Sequence, residues 1–180
     1  MRCWLPLALS AVLLPPATLG YERPCSFKRL VIAPITPGHS EIYAGDARTL
    51  RIRFHNYTQS DTVTAFPEPP LEIIQLRTQK QCSITEGGIW ARDSIFLSSD
   101  ERLLMSLEYS GESNHLLIYD TASCGRVGDI DVSGAAWLLK GDRLTIGSGC
   151  RSRDLATCSS KRVVTLGKFC AADLGEKRER

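Results

Sequence analysis

The residues of this chain whose types could do chemistry are seven cysteines, three histidines, two acids two positions apart and one serine-rich turn. Cys3 sits in an apolar leader, which leaves Cys25, Cys82, Cys124, Cys150, Cys158 and Cys170. None of these form a Cys-x-x-Cys pair, and His39, His55 and His115 stand far apart from one another and from the cysteines. Structural zinc sites group their ligands closely, so the pattern speaks against zinc. Asp129 and Asp131 alternate along one segment, as two exposed acids on a strand do, whereas a calcium loop needs more oxygen ligands close together. There is no glycine-rich phosphate loop, no His-Glu-x-x-His and no Gly-x-Ser-x-Gly. Neither a metal nor a cofactor is expected. The chain reads as a binding protein and not as an enzyme.

Six cysteines are a pairing number. In an oxidising compartment disulfides are the default, and sequence alone leaves fifteen connectivities open. The pairing expected is Cys25–Cys170 across the termini, Cys82–Cys124, and Cys150–Cys158 around a short polar loop.

Met1-Arg2, an apolar core from Cys3 to Leu14, Pro15-Pro16 and a small-residue exit at Thr18 and Gly20 have the layout of a secretory signal peptide. Residues 1–20 are thus expected to be removed, sending a soluble product out of the cytoplasm with no later membrane insertion. Of 180 residues, 22 are basic and 20 acidic. That near-balance argues against nucleic acid, which wants a concentrated basic face. The mixed-charge end, residues 175–180, reads as a frayed, solvated tail. Between them, residues 21–174 are expected to form one all-β domain.

The elements that must position any site are strands. Leu50-Arg51-Ile52-Arg53-Phe54 alternates apolar with basic side chains, the pattern of a half-buried strand. Short apolar segments recur at 95–97, 103–109, 116–119, 126–132, 144–146 and 163–166, each bounded by Gly, Asp, Asn or Ser. Strands spaced about ten residues apart suggest antiparallel hairpins, and no stretch reads as a long helix. From Ile95 to Gly147 the rhythm of strand, Asp-bearing turn and strand is that of β-propeller blades. The chain is short for a closed propeller. The fold expected is therefore a partial or irregular propeller-like stack, stapled by disulfides. Ala65-Phe66-Pro67-Glu68-Pro69-Pro70 reads as a stiff connector, and Trp90 and Trp137 read as core.

Glu108-Tyr109-Ser110-Gly111-Glu112-Ser113-Asn114-His115 lies between two apolar strands and so reads as a hairpin tip. Most such tips only reverse the chain, but Ser, Gly and Asn also fill recognition loops.

Four motifs stand out: Cys82-Ser83-Ile84-x-x-Gly87-Gly88-Ile89-Trp90-x-Arg92, Phe96-Leu97-Ser98-x-Asp100-x-Arg102-x-Leu104-Met105, Tyr119-Asp120-x-Ala122-x-Cys124 and Phe66-Pro67-Glu68-Pro69-Pro70. Together they resemble a family of periplasmic immunity proteins that protect Gram-negative bacteria from a cell-wall amidase delivered by type VI secretion. The likeness runs from about Cys25 to Cys170 and includes all six cysteines of the exported chain.

The resemblance implies an inhibitor located in the periplasm, whose partner is a papain-like cysteine amidase bound one to one. In that family a hairpin loop plugs the amidase groove, with a serine hydroxyl beside the catalytic cysteine and histidine. Here the loop corresponds to Tyr109, Ser110, Gly111, Glu112, Ser113 and Asn114. The family serine nearest the catalytic pair falls at Glu112, a departure that shifts the expected hydroxyl role to Ser110 and Ser113. Glu112 is then expected to pair with a basic residue of the toxin. The competing readings are an extracytoplasmic scaffold or sensor module that binds another envelope component, and a hydrolase with an unfamiliar site.

Overall fold

Strand alternation, read twice over, governs the architecture of the computed structural model, which describes residues 25–36, 38–57, 63–67 and 70–171. The leader, the 175–180 tail, and Glu68 and Pro69 of the proline-rich crossing lie outside the described residues. In chain order the strands begin with β1 (Phe27–Arg29), β2 (Ala33–Thr36), β3 (His39–Asp46), β4 (Leu50–His55) and β5 (Ala65–Phe66). They continue with β6 (Leu71–Gln75), β7 (Gln81–Ile84), β8 (Ile89–Ser98), β9 (Leu103–Ser110) and β10 (Ser113–Asp120). The last are β11 (Arg126–Asp131), β12 (Ala136–Lys140), β13 (Arg143–Cys150) and β14 (Cys158–Thr165), followed by the short helix α1 (Gly167–Ala171).

These strands make three antiparallel sheets. The outer sheet runs β2-β3-β4-β6-β7, the central sheet β1-β8-β9-β10-β11 with β5 beside β8, and the third β12-β13-β14. In β4, Leu50, Ile52 and Phe54 point into the core while Arg51, Arg53 and His55 face outward. The central strands are different: β9 is buried from Leu103 to Glu108. Its Leu104 joins one core with the outer sheet, while Leu103, Met105 and Leu107 join another with the third sheet. A strand covered on both faces gains nothing from alternation, so its sequence reads as a continuous apolar run. The result is three blade-like sheets packed face to face. This is the disulfide-stapled, irregular all-β arrangement that the sequence rhythm indicated.

The first core is aromatic. Phe54 stacks on Phe66 at 4.3 Å, Tyr43 meets Phe66 edge-on at 5.4 Å, and Trp90 lies 6.3 Å from Phe54. Such pairs add roughly 0.5–1.5 kcal/mol each beyond area burial. Ala65 and Phe66, expected as part of a connector, instead pair with Ala91 and Trp90 as β5. Trp90 is fully buried; Trp137 is half-buried and packs edge-on against Phe96 at 6.2 Å.

Disulfides join Cys25 to Cys170, Cys82 to Cys124 and Cys150 to Cys158. The second links β7 of the outer sheet to the β10–β11 turn of the central one. That turn is shaped by Asp120, whose Oδ1 accepts the amides of Ala122 and Ser123 at 3.1 and 2.8 Å. A side chain binding amides two and three residues ahead makes this an Asx turn.

Candidate functional site: the β9–β10 hairpin

The hairpin is tighter than its sequence suggests. The strands pair without interruption to Ser110↔Ser113, so the loop is Gly111 and Glu112 alone. Gly111 has φ +62°, which two-residue turns of the II′ type demand at their first position and glycine supplies without strain. Of the candidate residues, Ser110, Gly111, Glu112 and Ser113 are exposed, while Tyr109 and Asn114 are half-buried.

The pleat sorts these side chains. Directly paired residues point to one face of an antiparallel ladder, with Cβ atoms about 4.5–5.5 Å apart. Ser110 and Ser113 therefore carry their hydroxyls side by side on the face that Leu104 and Leu117 turn toward the outer sheet. Tyr109 falls on the opposite face and packs against the second core. Asn114 is held from the flank: its amide donates to Ser133 Oγ at 2.9 Å, and its carbonyl accepts the Val132 amide at 2.9 Å. Ser133 is set in turn by Asp131, whose Oδ1 accepts the Ser133 amide at 2.8 Å. Hydrogen bonds from Ser133 hold the Asp131 carboxyl below the usual range. Just below the tip, His115 Nδ1 lies 2.7 Å from Asp129 Oδ1. Asp129 and Asp131, read as two exposed acids on a strand, thus serve the hairpin's edge.

Sequence reasoning missed the base of this hairpin. Glu108, read as part of the loop, is 4% exposed. Its Oε1 accepts the Tyr119 hydroxyl at 2.6 Å and the Ser106 hydroxyl at 3.2 Å, and its Oε2 accepts the Gly88 amide at 3.3 Å. Burial, then the bond to Glu108, pushes the Tyr119 phenol well above its ordinary value. One signal was available: Glu108 follows Leu104 and Ser106 at strand spacing, on the buried face. Trp90, directly paired with Glu108, buries its Nε1 without a partner among the described residues.

Among the described residues, no cluster of His, Cys, Asp and Glu could hold a metal ion. His55 lies 3.4 Å from Glu72, beside the Arg53–Glu72 ion pair on the outer sheet. The three disulfides leave none of the six described cysteines as a free thiol. What the hairpin offers is an exposed two-residue tip flanked by hydroxyls on a firmly held base.

Residues 25–170 match the family described as Immune protein Tsi1. The chain belongs to the Tsi1 immune protein family. A curated relative, Immune protein Tsi1 of Pseudomonas aeruginosa, is 35% identical over 147 residues, covering 81% of this chain and 85% of the relative. The matched span includes all three disulfides, the three sheets and the hairpin. The Gly87-Gly88-Ile89-Trp90 segment, on which the sequence likeness leaned, lies against the hairpin's base.

Proposed function

We propose that this chain is a periplasmic immunity protein, a non-catalytic inhibitor of a type VI-secreted peptidoglycan amidase. It binds one amidase molecule and blocks the Cys/His active site with the 109–114 hairpin. The observation that carries this reading is membership of an immune protein family across residues 25–170, joined to an exposed, rigidly based tip. Residues 21–174 act as one exported domain, and the signal peptide and disulfides fit an oxidising compartment outside the cytoplasm.

The chemistry follows from the tip. A papain-like cysteine is a thiolate paired with an imidazolium. A serine hydroxyl both donates and accepts, so it satisfies either member of that pair. Ser110 and Ser113, side by side on one face, can meet both at once. Neither hydroxyl carries an acyl group, so the thiolate finds nothing to attack. Glu112, at the apex, would repel the thiolate and attract a cation, which assigns it to a basic residue at the groove's rim.

Mixing the purified protein with the amidase tests the reading. A stable one-to-one complex and loss of peptidoglycan digestion are expected. Full digestion in the presence of excess protein would refute it.

A further inference from the structure

The Gly87-Gly88 turn that leads into Ile89 and Trp90 of β8 has no part at the tip, yet its geometry is demanding. We propose that this turn and the buried Glu108 form a latch that fixes the direction in which the hairpin tip projects, with Glu108 as its positioning residue. The inference deepens the inhibitory reading and rests on it for its binding readout.

Glu108 presents two carboxyl oxygens as acceptors, and among the described residues no Lys, Arg or His forms an ion pair with it. Its two oxygens are satisfied by three donors from three places: Ser106 on its own strand, Tyr119 on β10 and Gly88 in the turn. Hydrogen bonds inside a buried, low-dielectric site are stronger than the same bonds in water and reinforce one another. They therefore bind both hairpin strands to the turn at one point. A glutamine would offer an N–H either to the Gly88 amide or to the two hydroxyls, leaving a donor unmatched.

The two glycines let the turn lie on the hairpin. Gly87 has φ +153°, and a Cβ there would come within 2.8 Å of both Glu108 Oε2 and Trp90 Cζ2. A Cβ on Gly88 would collide with the carbonyl oxygen of Tyr109, the residue leading into the tip. The ladder repeats the message. Ile89 pairs with Tyr109 and Trp90 with Glu108, after which the β8–β9 register is interrupted until Ile95 meets Ser106. This turn is thus the last hold on β9 before the tip, as Ser133 is on the β10 side. A tip held from both flanks loses less freedom on docking and binds more tightly.

Glu108→Gln, Gly88→Ala and Tyr119→Phe, which keeps the core ring, test the latch. Amide exchange at Tyr109, Ser110, Ser113 and Asn114 is measured in the free protein, and amidase affinity where every variant is folded. Exchange is expected to quicken and affinity to fall, each at least tenfold. Ile52→Val in β4 serves as a stability control that leaves both unchanged. The proposal is overturned if Glu108→Gln and Tyr119→Phe lower the melting temperature yet leave tip exchange and affinity at wild-type values. If the latch variants quicken exchange while neither they nor tip variants alter affinity, the latch stands and the inhibitory reading of the tip falls.

Discussion

Glu101, in the β8–β9 turn, reaches across to cap Thr49 in the β3–β4 turn: its Oε2 accepts the Thr49 amide at 2.8 Å and also the Thr49 hydroxyl. Its Oε1 accepts the Arg48 amide at 3.0 Å. One carboxylate thus sews the outer sheet to the central sheet at the end away from the tip. Glu101→Ala hands these exposed donors to water and is expected to destabilise the protein by about 1 kcal/mol. Chemical denaturation checks this, with the hairpin's amidase affinity unchanged.

Acid should loosen this seam and two ion pairs within the outer sheet. Burial opposes ionisation of Glu101, but its bonds from Thr49 and Arg48 win and hold its pKa below the ordinary value. Hydrogen bonding to Arg53 does the same for Glu72, and to Arg51 for Asp46, whose partner lies at 2.6 Å. Each folded-state pKa lies below the unfolded one. The stabilisation is therefore present above about pH 4–4.5 and is lost as pH falls through the depressed values. Melting temperatures measured from pH 7 down to pH 3 should stay level at first and then drop. A rise on acidification would contradict the assignment.

The three disulfides close loops of very different size, with sequence separations of 145, 42 and 8. Loop-closure entropy then predicts losses of about 5, 4 and 2.5 kcal/mol when Cys25–Cys170, Cys82–Cys124 and Cys150–Cys158 are replaced by serine pairs. Denaturation midpoints of the three double variants should follow that order.

At the tip, Gly111→Val places a β-branched residue at φ +62° and is expected to cost roughly 1–2 kcal/mol. Ser110→Arg and Ser113→Arg put bulk where the proposed inhibition places a hydroxyl in the amidase cleft. Each should weaken amidase binding at least tenfold, or about 1.4 kcal/mol, without lowering the melting temperature. Glu112→Arg should slow association by reversing the charge at the apex. Kinetic binding measurements on the four variants decide this.

The parts legible in sequence were those with local causes. The alternation in β4, the paired apolar runs of β9 and β10, and the Asp120 turn each announce themselves within ten residues. β2 was not legible because Pro34 breaks its pattern, a break that an edge strand tolerates. β3 hides behind Gly45, whose missing side chain makes room for Leu30 and Ile32. β5 is a strand only because distant Trp90 and Ala91 receive it. The tip was visible as a serine-rich reversal, but its length was overread. Glu108 looks like loop polarity until Tyr119, eleven residues on, folds back to meet it.

The central claim, a hairpin lodged in a cysteine active site, is tested most directly by alkylating the amidase's catalytic thiol with iodoacetamide in the presence of equimolar protein. The account predicts that wild type shields the thiol and that Ser110→Arg and Ser113→Arg leave it open. A stable complex in which the thiol reacts as fast as in the free amidase would contradict it.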